Sequence, residues 1–332
     1  MTVALPAHLY GDPAFYERER RTLWWDQWVM VGVVAELDGP GSCIVTDVAG
    51  WGVIIARDPD GNLRGFHNVC PHRAGVIAWP GQSRLANLVC RYHGWAFGWD
   101  GALKSARDFG DDNLCAESNS LTPISVDTWG PLVFARLNGD GPGLPDALRP
   151  FIDRCSEFPV DSFAYGHRLV RRLECNWKTY VDNYLEGYHV SLLHPALSRA
   201  LDMSTYRVEL PHPDFCVHRC DTPDGSPSAG AWLFRYPNLA LNIYPDGMNV
   251  ERIVPDGPHR TMVVYDYFAF DPTPERITDM LDLSNVTLDE DQAICEAVQR
   301  NLDAGLYRAG NLSPRHETAL GWFQNRILTE TG

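Results

Sequence analysis

Two Cys/His pairs at close, unequal spacing constrain this chain more than any other feature: Cys70-Pro71-His72 and then, seventeen residues on, Cys90-Arg91-Tyr92-His93. A [2Fe–2S] cluster of the Rieske type needs two thiolates on one iron and two imidazoles on the other, so each of two short loops must deliver one Cys and one His. Pro71, Gly75 and Gly94 suit two tight loops that face each other. A Cys2His2 zinc site is the competing reading. Zinc ligand pairs usually sit two to four residues apart, however, and the single-residue gap of Cys70-Pro-His72 crowds a tetrahedral chelate. The spacing favours the cluster, with Cys70, His72, Cys90 and His93 as ligands.

At 332 residues the chain is long enough for two domains with their own cores. A formal net charge of -15 argues against nucleic acid or an anionic membrane as a partner, because both are bound through basic patches. Nine cysteines are present, and removing Cys70 and Cys90 leaves an odd number with no disulfide-framework spacing, which suits a reducing cytoplasm. Residues 1–16 lack the basic and apolar regions of a signal peptide, and no run approaches the roughly eighteen apolar residues of a membrane span.

Asp12 caps an expected helix, with Pro13 in its first position, that runs to Trp28. The period then shortens. Residues 29–35, 43–48, 51–57 and 63–68 are short, β-branched and separated by Gly-Pro, Ala-Gly and Asp-Gly, the pattern of a small antiparallel sheet with the ligand loops at hairpin tips. The Gly/Pro/Asp-rich stretch 138–145 marks a boundary near residue 138. Beyond it, 176–188 reads as an amphipathic helix and about 232–270 as strands. Thr287-Leu-Asp-Glu290 has the pattern of a capping box opening a helix that closes near Gly305, and a last helix starts at Ser313-Pro314 with Leu320, Phe323 and Ile327 inward. The expected fold class is α+β, with a helical segment (1–28), an antiparallel β domain holding the cluster loops (29–138) and a larger sheet-and-helix domain (139–332).

Asp182, Glu186 and His189 are spaced four and three apart, which places them on one face of the 176–188 helix. Such a stripe is ordinarily solvated surface, but His194 follows five residues after His189 and immediately precedes Pro195. Five residues is about 500° of helical rotation, so both imidazoles meet one ion only if the helix distorts or ends between them, and Pro195 favours an ending. A two-His-one-carboxylate facial triad binds Fe(II) and leaves positions open for dioxygen and substrate. Asp291 is the candidate carboxylate, heading an apolar row with Ile294, Val298 and Leu302, against a plain role as a first-turn acid complementing the helix dipole. A di-iron bundle would need a second Glu-x-x-His pair besides Glu186/His189; Glu209-Leu-Pro-His212 contains a proline and reads as a loop.

With both constellations in view, the chain resembles the catalytic α-subunits of Rieske non-haem iron oxygenases, the aromatic-ring-hydroxylating oxygenases. The resemblance spans nearly the whole chain, through Cys70-Pro-His72-Arg-Ala, Cys90-Arg-Tyr-His93-Gly-Trp, Asn176-Trp-Lys, Asp182-Asn-Tyr-Leu-Glu-Gly-Tyr-His189, His194-Pro195 and Asp291 to Gln299. The segments Tyr236-Pro-Asn238, Asn242 to Met248 and Val298 to Gly310 are similar to the branch of choline, carnitine and betaine oxygenases. The resemblance implies a helix-grip catalytic domain and a head-to-tail homotrimer in which the cluster of one subunit serves the iron of its neighbour. It implies that Glu186 bridges His189 and the partner subunit's His93, with Asp182 supporting the same network. The cofactors implied are the [2Fe–2S] cluster and mononuclear Fe(II), with O2 as co-substrate. The implied reaction is hydroxylation, or dealkylation at nitrogen, of a small-molecule substrate, with aromatic-ring hydroxylation as the alternative.

No strand-Gly-x-Gly-x-x-Gly-helix unit is present, so electrons are expected from a separate NAD(P)H-dependent flavin/iron–sulfur reductase. A bare Rieske electron carrier would leave the second constellation unused. Trp232, Phe234 and Tyr236 alternate on one strand, with Asn242 and Tyr244 on the next run; such a set suits a quaternary ammonium by cation–π attraction or a ring by stacking, and would equally suit a core.

Overall fold

The computed structural model of the chain describes residues 3–110, 114, 115, 117–224 and 230–332. Two compact units emerge, one of Trp24–Ala147 and one of Met1–Leu23 together with Leu148–Gly332. The second unit is therefore built from two stretches of sequence.

Its opening helix, α1 (Pro13–Glu19), is capped by Asp12, whose carboxylate accepts from Ala14 N at 2.9 Å. It does not run on to Trp28 as one α-helix. A π-helical turn, Arg20–Trp24, takes over and shifts the side-chain phase. Glu19, 0% exposed, forms an ion pair with Lys178 at 2.7 Å, and the Lys178 ammonium also lies over the rings of Tyr10 and Phe15.

The described strands of the Trp24–Ala147 unit are β1 (Val29–Val33), β2 (Cys43–Val48), β3 (Trp51–Arg57), β4 (Leu63–His67), β5 (Leu88–Val89), β6 (Ala96–Phe97), β7 (Leu103–Ser105), β8 (Ser125–Trp129) and β9 (Leu132–Arg136), with short 3-10 turns at Val34–Glu36 and Glu117–Asn119. They form three antiparallel sheets of three strands, ordered β1-β9-β8, β2-β3-β4 and β5-β6-β7. Ala49 and Gly50, both at positive φ, make the two-residue turn between β2 and β3 that matches strand twist. The second ligand loop, 90–93, tips the β5–β6 hairpin, as expected. The first does not tip a hairpin, because it joins β4 to β5 and these strands lie in different sheets. Beneath both loops lies one core that includes Ile54, Phe66, Leu88, Trp95 and Phe97.

Helix α2 (Leu144–Cys155) leads into the other unit, where the chain runs β10 (Ala164–Leu173), α3 (Trp177–Tyr184), α4 (Val190–Leu193), α5 (Pro195–Ala200), β11 (Asp202–His212), β12 (Phe215–Asp221), β13 (Gly230–Arg235), β14 (Leu239–Tyr244), β15 (Gly247–Pro255), β16 (Thr261–Ala269), α6 (Pro274–Asp303) and α7 (Thr318–Thr331). One seven-stranded antiparallel sheet, ordered β10-β16-β15-β14-β13-β12-β11, holds these strands. Strands β13 to β16 occupy the section read as β-rich; β10 to β12 escaped that reading because charged residues interrupt their alternation. The supposed capping box at Thr287 lies inside α6, which starts thirteen residues earlier under a Thr273 cap. Its buried row is Leu288, Asp291, Cys295 and Gln299, whereas Ile294 and Val298 are 38% and 39% exposed. Gln299 accepts from Asn176 N at 2.9 Å and from Thr179 at 3.1 Å, fastening α6 to the start of α3.

Candidate functional site

The two cluster loops repeat one backbone design. Cys70 N donates to Gly75 O at 2.7 Å and Cys90 N to Trp95 O at 2.9 Å; Ala74 N returns to Cys70 O and Gly94 N to Cys90 O, each at 2.9 Å. The fifth residue of each loop, Ala74 or Gly94, takes positive φ so that the chain folds back. The loops press together so closely that a Cβ on Gly75 would stand 2.8 Å from Cys90 Sγ. Both thiols are buried, and burial together with the neighbouring Cys90 sulfur pushes the Cys70 thiol up. His72 and His93 lie with ring centroids 4.6 Å apart, and His72 stacks on Trp95 at 4.6 Å and 2°. Its Nδ1 is buried with no hydrogen-bond partner. Two facing buried thiols and an orphaned imidazole nitrogen fit a [2Fe–2S] cluster. All nine cysteines are free.

In the other unit, α3 ends at Tyr184, so Asp182, Glu186 and His189 do not share one helical face. Asp182 turns away from the histidines. It accepts from Tyr10 Oη and, at 3.0 Å, from Gln324 Nε2, in a buried network joining α3 to the N-terminal segment and α7. Burial lifts its carboxyl to about 7. The chain then makes a turn and a four-residue helix, α4, with His189 at its N-cap and His194, φ -117 and ψ 77, at its C-cap before Pro195. This break swings the two imidazoles together, with centroids 5.1 Å apart and planes at 80°.

Asp291 completes the group. Its Oδ1 lies 3.0 Å from His194 Nε2 and 4.0 Å from His189 Nε2, and one ligand atom from each residue falls within 4.8 Å of the others. Because α6 begins so far upstream, Asp291 is a mid-helix residue, which removes the helix-dipole explanation for it. His194 Nε2 is buried and makes no hydrogen bond to Asp291 despite the short approach, as suits a ring nitrogen and a carboxylate aimed at a common cation.

Each imidazole is oriented from behind by a carboxylate. Glu186 Oε1 contacts His189 Nδ1, and Glu290 Oε2 lies 2.7 Å from His194 Nδ1. Asn183 Nδ2 donates to Asp291 Oδ1 at 2.7 Å. The sequence points to Glu186 but not to Glu290, which reads there as the acid of a capping box, nor to Asn183, which sits inside the motif but carries no charge.

His189, His194 and Asp291 line a cavity of about 980 Å³. Trp232, Asn242 and Tyr244 line it too, with Trp232 Nε1 donating to Tyr244 Oη at 3.3 Å and Tyr184 Oη donating to Asn242 at 2.7 Å. Phe234 and Tyr236 do not. Both are core, 0% and 1% exposed, packed on Phe323 and Trp322 of α7. Phe234 shares Trp232's face of β13 but stands two residues along, where α7 covers the sheet. Glu251, in none of the sequence motifs, lines the cavity.

Comparison with known proteins bears on both units. Residues 27–113 match the Rieske [2Fe-2S] domain, and residues 160–330 match the ring-hydroxylating alpha subunit (catalytic domain). A choline monooxygenase, chloroplastic, of Arabidopsis thaliana is 31% identical, over 92% of this chain and 78% of its own length. The carnitine monooxygenase oxygenase subunit of Acinetobacter pittii is 28% identical, over 91% and 86%. The crystal structure of the quaternary ammonium Rieske monooxygenase CntA with L-carnitine superposes with a TM-score of 0.88 at 25% identity, covering 99% of this chain and 96% of that one. Among the described residues no helix is long and apolar enough to cross a membrane. The chain thus belongs to the ring-hydroxylating alpha subunits of the Rieske non-haem iron oxygenases, oxidoreductases that carry a Rieske [2Fe–2S] cluster and use a mononuclear iron with O2.

Proposed function

We propose that the chain is the terminal oxygenase component that hydroxylates, or oxidatively N-dealkylates, a small quaternary-ammonium-like metabolite. The observation that carries this reading is the cavity wall: the two-His-one-carboxylate group opens into a space walled by tyrosines and Trp232, the side chains that hold a quaternary ammonium by cation–π attraction. In this reading His189, His194 and Asp291 hold the iron, and Cys70, His72, Cys90 and His93 hold the cluster. Bound there, the iron and cluster supply dioxygen activation and electrons. The protein's own part is to orient: Glu290 and Glu186 fix the imidazole tautomers, Asn183 fixes Asp291, and the aromatic wall places the substrate.

We further propose a homotrimer fed by a separate NAD(P)H-dependent flavin/iron–sulfur reductase, with Glu186 joining His189 to the partner subunit's His93. Exposed apolar side chains beside each metal site support an assembly that covers them: Trp79 and Tyr92, 56% and 58% exposed, near the cluster loops, and Tyr188 and Leu192, 60% and 89%, around His189. A reducing compartment, the cytoplasm, suits nine free cysteines.

The test is metal analysis followed by turnover. About three irons and two acid-labile sulfides per chain with a Rieske-type EPR signal are expected, then O2 uptake coupled to oxidation of one of a panel of quaternary ammonium compounds when a reductase is supplied. Zinc without sulfide in anaerobically purified protein, or turnover of aromatic hydrocarbons but of no ammonium compound, is the opposing result.

A further inference from the structure

Strand register places His218, Trp232, Asn242, Asn249 and Tyr267 directly opposite one another across β12 to β16, and all five line the cavity. Glu251 stands two residues along from Asn249, hence on the same face. This wall is polar without being basic. Among the described lining residues Arg276 is the only lysine or arginine, and Asp246 engages it through both its carbonyl, at 3.2 Å, and its carboxylate. Asp271, Glu275 and Asp279, all exposed, line the same cavity.

Of the carboxylates lining the cavity that are not exposed, Asp291 faces the imidazoles and the half-buried Glu186 is taken by His189. Glu251, 4% exposed, remains. It accepts from Asn242 Nδ2 at 2.6 Å and Tyr180 Oη at 2.9 Å, neutral donors that fix a carboxylate without cancelling its charge. Burial, with the Asp291 charge adding to it, holds the Glu251 carboxyl up at about 7, and a cation in the cavity would draw it down. Beside it Asn249, 8% exposed, has an Oδ1 with no hydrogen-bond partner.

We infer that the cavity selects an organic cation without a carboxylate, an ammonium alcohol of the choline type, with Glu251 as counter-charge and Asn249 Oδ1 as acceptor for its hydroxyl. Zwitterions such as glycine betaine and carnitine would set their own carboxylate against this wall with no free lysine or arginine among the described lining residues to receive it. The inference rests on the quaternary-ammonium reading above and narrows it.

The experiment is isothermal titration of the anaerobic, iron- and cluster-loaded protein with choline, glycine betaine, L-carnitine and the neutral isostere 3,3-dimethylbutan-1-ol. Choline is expected to bind at least about ten-fold more tightly than either zwitterion, with Glu251→Gln abolishing the preference. Asn249→Ala is expected to weaken choline but spare tetramethylammonium, which has no hydroxyl, and it keeps the inference testable if Glu251→Gln fails to fold. A zwitterion binding as tightly as choline, a preference that survives Glu251→Gln, or an Asn249→Ala protein that treats choline and tetramethylammonium alike overturns the inference and leaves the quaternary-ammonium reading standing. The isostere matching choline, or no ammonium compound binding at all, overturns that reading and the inference together.

Discussion

Glu290 Oε2 reaches His194 Nδ1 at 2.7 Å, while the next residue, Asp291, reaches Nε2 of the same ring at 3.0 Å. Adjacent residues of one helix thereby address both nitrogens of one imidazole and fix which of them faces the metal position. Glu290→Ala should weaken iron retention about 10–100-fold while leaving the fold intact. Iron content after dialysis against a graded chelator reads this directly. Wild-type retention would place the orienting force elsewhere.

Asp182 makes stability depend on pH in the opposite sense to an ordinary paired carboxylate. Its folded carboxyl sits at about 7 against 3.8 in the open chain. Between those values the folded state holds a proton that the unfolded state has lost, so stability falls as pH rises toward 7 and stays low above it. Asp182→Asn keeps an acceptor for Tyr10 and Gln324 without the buried charge. It should raise the Tm at pH 8, by up to ~4 kcal/mol in stability, with the gain shrinking as pH falls toward 4. A gain independent of pH would show that charge is not its source.

The facing cluster loops leave no room at Gly75. Gly75→Ala should displace Cys90 Sγ and lower acid-labile sulfide per chain, whereas Gly94→Ala, at φ +77 and meeting only Arg107 at an ordinary 3.8 Å, should cost only about 1–2 kcal/mol of strain and keep the cluster. Equal sulfide in both variants would mean that the loops separate easily.

Trp232 and Phe234, neighbours on one face of β13, should behave as different kinds of residue. Phe234→Ala removes a fully buried ring and is expected to cost about 3–5 kcal/mol in urea unfolding. Trp232→Ala should cost less than about 1 kcal/mol and show itself in KM. Comparable unfolding penalties would return Trp232 to the core.

That Cys70, His72, Cys90 and His93 face one another, and that His189, His194 and Asp291 meet, was legible from sequence because metal chemistry asks for particular atoms at particular spacings. Phase was harder to read. The row Asp291, Ile294, Val298 counted in threes and fours from an apolar pattern, yet the buried row runs through Cys295 and Gln299, because Gln299 is wanted for its hydrogen bonds to the start of α3. Glu290, Asn183, Asn249 and Glu251 were not legible for a related reason. Each earns its place through a partner distant in sequence or, for Asn249, through the strand register that turns it into the cavity. Strand β10, with His167, Arg168, Arg171 and Arg172, shows a polar sequence paired to the buried β16 from Ala164 to Leu173, with one irregularity at Gly166.

Helix α6 carries Glu275, Arg276 and Asp279 at the cavity and Asp291 at the histidines on a single uninterrupted rod. About 100° of rotation per residue ties those positions together, so one residue inserted or deleted between Asp279 and Asp291 would turn the carboxylate about a quarter-circle away from His194. Substitution can change the charge and size of the side chains around the substrate freely; a change in length cannot. Diversification of the cavity at this helix is confined to exchanging side chains on a frame whose spacing the meeting of Asp291 with His194 has already set.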